Sequence, residues 1–136
     1  MTDRHRSPIA IEGLAEVVLN VHDMAASLAF YRDLLGLEVI SGERVNPVFL
    51  RAGAATSRLP ALVVLVQLPP DTPAFFAPRT LHHLALAVSP DAYDAAHAAL
   101  TARGFGVRTG QHPVLPSRTI YVDDPDGNEV ELIAPV

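Results

Sequence analysis

The alternation of apolar and polar side chains lays out most of this chain. Over Leu14 to Val21, Glu16, Val18 and Asn20 fall on one side of an extended strand and Val17, Leu19 and Val21 on the other, because successive side chains point to opposite faces. The period then lengthens. Met24, Leu28, Tyr31 and Leu35 recur at helical spacing, Asp23 stands where an N-cap belongs, and Gly36 where a left-handed residue closes a helix. A helix is therefore predicted over about 24–35. Leu37–Ile40, Val45–Arg51 and Leu62–Leu68 read as three more strands, separated by Ser-Gly and Gly-Ala-Ala-Thr-Ser loops.

The same order then recurs. Pro69 to Thr80 holds four of the 12 prolines (Pro69, Pro70, Pro73, Pro78) and is predicted to be a stiff connector. In Leu81–Val88, His83, Ala85 and Ala87 oppose Leu84, Leu86 and Val88. Ser89 and Pro90 open a helix with Tyr93, Ala96 and Leu100 on one face, and Gly104 closes it. Strands near Phe105–Arg108, Thr119–Val122 and Asn128–Ile133 complete the unit. Aligning Glu16 on His83, an offset of 67 (83 minus 16), carries Val17, Leu19 and Val21 onto Leu84, Leu86 and Val88. Such an internal repeat is a statement about fold. It predicts one α+β domain over 1–136, built from two β-α-β-β-β modules (about 14–68 and 81–133, joined by 69–80), whose paired sheets form a curved mixed sheet around a cleft.

Composition narrows the chemistry. A hydrophobic content of 49%, a charged content of 18% and no apolar run of membrane length argue for a globular chain without a membrane partner. The polar start MTDRHRSPIA lacks an apolar signal core, so a cytoplasmic location is expected. With a net charge of -5 and no Lys/Arg cluster, nucleic acid is not an expected partner. The absence of Cys excludes disulfides and thiolate sites, leaving His, carboxylates and amides as metal ligands.

A lone His in a strand is more often a hydrogen-bonded core or edge residue than a ligand. His83, however, projects from an alanine floor, and the repeat gives it Glu16 as counterpart. Gln67, on the face of Val63 and Leu65, and Glu131, opposed to Val130 and Leu132, also interrupt strands at positions read as inward. Two carboxylates forced together in a partly dry cleft require a cation, an Arg or a shared proton. A divalent ion satisfies Glu16, Gln67, His83 and Glu131 together, and nitrogen and oxygen donors suit Fe, Mn, Ni, Zn or Mg. Phe75 and Phe76 offer a lip over the cleft or an interface contact, and His22 reads as a solvated turn residue.

VVLNVHDMAASLAFYRDLLGLEVI, HHLALAV and YVDDPDGNEVELI resemble the vicinal oxygen chelate superfamily, which includes glyoxalase I, extradiol dioxygenases and bleomycin-binding proteins. The resemblance runs from about Leu14 to Ile133. It implies the paired-module fold, metal ligands at Glu16, His83 and Glu131 with a fourth near Gln67, a small-molecule substrate and a homodimer. The C-terminal third is similar to catechol dioxygenases, which implies that His112 and Tyr121 hydrogen-bond a chelated substrate beside Glu131. Ring-cleaving enzymes hold iron with two His and one carboxylate, and Glu16 stands in place of the first His. A glyoxalase-like lyase or isomerase, with Glu16 or Glu131 as base, is the other enzyme class implied. A metal-free drug-sequestering protein is the alternative to both.

Overall fold

The computed structural model describes residues 7–42, 44–54, 59–76 and 79–136. Pro78 of the connector, much of the Gly-Ala-Ala-Thr-Ser loop and the first six residues lie outside these. β1 (Glu16–Val21) leads through Asp23 into α1 (Met24–Leu28), which continues as a π-helical turn (Ala29–Leu34) before β2 (Glu38–Val39), β3 (Val48–Arg51) and β4 (Leu62–Gln67). The second half repeats the order with β5 (His83–Ala87), α2 (Pro90–Ala102), β6 (Arg108–Gly110), β7 (Ser117–Asp123) and β8 (Glu129–Pro135). Each half forms a four-stranded mixed sheet, β1-β4-β3-β2 and β5-β8-β7-β6. Among the described residues only the β1/β4 and β5/β8 pairs are parallel.

Pairing register confirms the repeat at residue level. Glu16 lies beside Leu62 and His83 beside Glu129, and both partners are related by the same 67 positions (83 minus 16, 129 minus 62). The helix caps also recur: Asp23 accepts from the Ala26 N–H and Ser89 from the Ala92 N–H, while Gly36 and Gly104 adopt φ of 76° and 83°. β6 starts later than its apolar residues suggest. The Phe105 N–H instead closes α2 by donating to Leu100 O, and Gly104 N–H donates to Thr101 O, a Schellman ending. The Phe105 ring is thereby left to pack on Phe30 at 5.9 Å.

Leu19 and Val21 of β1, Leu50 of β3, Leu65 of β4, and Val130 and Leu132 of β8 fill the helix-side core. The widened turn after α1 buries two sequential aromatics, Phe30 (4% exposed) and Tyr31 (0%). Phe30 is off the helical stripe read from the sequence, and the π turn accommodates it. The Tyr31 hydroxyl donates to Asp124 Oδ2 at 2.6 Å. Burial, then the charge of Asp124, holds this phenol far above its ordinary value, so it stays a donor.

Asp124 opens the turn between β7 and β8. Its Oδ1 accepts from the Asp126 and Asn128 N–H groups, and Gly127 takes φ of 80°. Asp126 Oδ1 in turn accepts from the His22 N–H (3.0 Å) and faces His22 Nδ1 (2.7 Å), while His22 Nε2 faces Pro73 O at 2.9 Å. His22 is thus an intermodule pin. Both ring nitrogens meet acceptors, which only the imidazolium can satisfy.

The hydrogen bond to Asp126, then that to Pro73 O, raises the His22 pKa above 6.5. A raised folded-state pKa gives stabilisation that is complete below the ordinary value and lost as pH rises through the raised one. Melting curves across pH 6 to 9 should therefore show the wild type losing its advantage over His22→Gln as pH rises. A difference independent of pH would contradict this.

Candidate functional site

On the open face of the second sheet, β5 contributes His83, Ala85 and Ala87 and β8 contributes Glu129, Glu131 and Ile133. Across the antiparallel ladder Tyr121 sits directly opposite Glu131, and Arg108 directly opposite Tyr121. The turn at Asp124 to Gly127 therefore keeps Tyr121 on the face of Glu131.

His83 Nε2 lies 3.7 Å from Glu131 Oε1, and the Glu131 side chain is 4% exposed. That gap is long for a hydrogen bond. Two ligands about 2.1 Å from one ion at tetrahedral to trigonal angles stand about 3.4–3.7 Å apart, so the pair fits a shared divalent ion. No Lys or Arg ion-pairs with Glu131 among the described residues. The His82 and His83 Nδ1 atoms are 2.8 Å apart, which ties one side of the His83 ring and leaves Nε2 toward Glu131.

The Tyr121 phenol is held above its ordinary value. The Thr119 hydroxyl lowers it, and this is outweighed by the hydrogen bond to Glu131, burial and the charges of Glu131 and Glu129. Tyr121 is consequently a protonated donor beside a carboxylate. Arg108 Nη2 binds Asp123 at 2.8 Å and Glu129 at 3.4 Å, so the rim cation is already paired. His82, His83 and Glu129 also form a group whose ligand atoms lie within 4.8 Å of one another. It is a less apt cradle, because His82 is exposed and Glu129 is taken up by Arg108.

The other expected ligands lie elsewhere. Gln67 was assigned to the open face, but the β1/β4 register puts Leu62, Val64 and Val66 beside Glu16, Val18 and Asn20, and Gln67 beside Val21 on the helix side. Gln67 Oε1 accepts from the Met24 N–H and Nε2 donates to His22 O, both at 2.8 Å. Its amide thus anchors the start of α1, about 16 Å along the strand from Glu16. The position equivalent to Glu131 is Val64, apolar and 1% exposed.

Glu16 is exposed at the start of β1, its side chain making no hydrogen bond or ion pair among the described residues. It does not join His83 and Glu131 within the chain. His112 lies in the loop after β6, where Nδ1 accepts from the Val114 and Leu115 N–H groups at 3.1 and 2.9 Å. It makes no hydrogen bond to the pair. Neither His82 nor Arg108 stands out in the sequence; the signal of Arg108 is its place opposite Tyr121, visible only once the β6/β7 register is known.

Among solved structures, the chain is similar to a glyoxalase/dioxygenase from Nostoc punctiforme (21% identity, TM-score 0.72, covering 100% of this chain and 99% of that one). It is similar also to a lactoylglutathione lyase from Agrobacterium tumefaciens (24%, TM-score 0.65, 92% and 95%) and to a genomically encoded fosfomycin resistance protein from Listeria monocytogenes (21%, TM-score 0.67, 93% and 96%). No helix among the described residues is long and apolar enough to cross a membrane. Residues 13–132 match a single family model, and the chain belongs to the Glyoxalase/Bleomycin resistance protein/Dioxygenase superfamily.

Proposed function

We propose that the chain is a divalent-metal enzyme acting on a small substrate with adjacent oxygens. The observation that carries this is the His83–Glu131 pair, 3.7 Å apart, with its carboxylate nearly buried. Two ligands are one fewer than the three that protein supplies to a catalytic zinc, and Glu16 stands unpartnered at the repeat-related position. We assign the third ligand to Glu16 of the partner subunit in a homodimer that sets one sheet's open face against the other copy's.

The metal, when bound, supplies Lewis-acid polarisation of the substrate oxygens. The remaining work falls to the chain. Glu131 and Glu16 fix the anionic charge of the site, and the alanines at 85 and 87 leave room for the substrate. Tyr121 donates its proton to a substrate oxygen and takes it back. A site with two carboxylates and one His suits proton transfer at an acidified carbon, the glyoxalase-like lyase or isomerase class. It suits ring cleavage less, since the first His is absent and His112 is engaged in its own loop.

Metal analysis of protein purified without chelators tests this, with one divalent ion per chain expected and loss of it in His83→Ala. Turnover of a hemithioacetal, with no coloured product from catechol and oxygen after Fe(II) loading, is the expected activity pattern. No stoichiometric metal after reconstitution with Fe(II), Mn, Ni and Zn would overturn the enzyme reading. It would favour the second one, a metal-free binding protein, for which Val64 in place of a second Glu131 and the engaged Gln67 amide both speak.

A further inference from the structure

A cavity of about 610 Å³ opens between the exposed side of β1 and the connector, bounded by Val18, Asn20, Phe75, Phe76, Arg79 and Asn128. It includes neither His83 nor Glu131, and its size is that of small-molecule sites, about 300–1,000 Å³. Arg79 gives it chemical character. Its Nη1 donates to Asn128 Oδ1 at 3.3 Å, and its guanidinium carbon lies 5.3 Å from the Phe75 ring centroid. Nη2 abuts the turn backbone, 3.0 Å from where a Cβ on Gly127 would stand.

These three supports hold the guanidinium without neutralising it. Among the described residues Arg79 has no carboxylate partner, as Arg103 has none, whereas Arg32, Arg51, Arg108 and Arg118 each have at least one. A guanidinium offers five N–H donors, and Asn128 engages one. At the same opening two large apolar side chains are uncovered, Phe76 at 81% and Val18 at 52% exposure. Asn20, on the same side of β1 as Val18, adds an amide. A planar carboxylate meets the guanidinium fork with two parallel hydrogen bonds, and a ring attached to it covers Phe76 and Val18.

We infer that this cavity binds a small aromatic carboxylate, the carboxylate on Arg79 and the ring against Phe76 and Val18. Val18 and Asn20 share the open face of β1 with Glu16, so in the proposed dimer this cavity adjoins the metal site and the inference extends that reading. Carboxylate binding needs no metal, so it is tested on the full chain in chelator, apart from the metal analysis. Phenylacetate, phenylacetamide and inorganic phosphate are titrated while backbone amide NMR shifts are followed. Saturable shifts at Val18, Asn20 and Asn128 are expected with phenylacetate. Affinity should fall about tenfold or more in Arg79→Gln and be abolished by Val18→Trp, which fills the cavity and leaves Arg79 in place. Phenylacetamide should bind weakly and equally to wild type and Arg79→Gln. Equal phenylacetate affinity in wild type and Arg79→Gln, no shifts at these amides, or phosphate binding as tightly as phenylacetate would each overturn it.

Discussion

Replacing Asp124 by Ala is expected to destabilise the fold by about 3–5 kcal/mol, lowering the melting temperature by roughly 10–20 °C. Asp124 is 5% exposed and accepts from four donors: the N–H groups of Asp126 and Asn128, the Asn128 amide and the Tyr31 hydroxyl. Removing it strands all four, and the Tyr31 hydroxyl belongs to a side chain with no exposure. Tyr31→Phe removes one of these bonds and should cost about 1.5–3 kcal/mol. Urea unfolding of both variants and of the double variant measures the coupling. If Asp124→Ala is no worse than Tyr31→Phe, the turn is held by its backbone and the carboxylate is not its organiser.

For Glu131→Gln the expected signature is loss of function without loss of stability. Metal affinity should fall at least about 100-fold, because a neutral amide replaces the anionic ligand, while in chelator the melting temperature of the metal-free variant stays within a few degrees of metal-free wild type or rises. A nearly buried carboxylate with no Arg or Lys against it adds little to the metal-free fold, and desolvating its charge opposes folding. A carboxylate kept for structure would behave in the opposite way, with a clear fall in melting temperature. Tyr121→Phe completes the comparison. It should retain stoichiometric metal and lose about 100-fold in turnover, the low end for a lost acid–base group. Unchanged turnover would remove Tyr121 from the chemistry.

The repeat was legible because apolar alternation and helix caps are local signals, and both halves carry them. His83, Glu131 and Tyr121 come together because each interrupts the open face of one sheet, where the pattern of β5 and β8 marks the sides clearly. β4 marks neither: LVVLV is apolar on both faces, so the polar residue at its end gave no sign of its side, and pairing with Val21 decided it. Glu16 shows a different limit. Repeat equivalence relates two positions by symmetry without bringing them into contact. His22 and Asp126 stand 104 positions apart, and no pattern local to either reveals their pairing. Arg79 was hidden likewise, since its supports come from the connector and from the β7–β8 turn.

The shared 67-residue offset of the two parallel ladders has a consequence for how such a chain can change over time. Matched positions keep the same backbone neighbours, yet one ladder holds Glu16 and Val64 where the other holds His83 and Glu131. Reactive groups are thus concentrated in one copy of the duplicated unit, and the open side of the other carries mainly aliphatic bulk at Val18, Val64 and Val66. Exchanges among those valines can reshape what is accommodated while the His83–Glu131 pair stays intact, so binding preference and chemistry are free to diverge separately in descendants of one small chain.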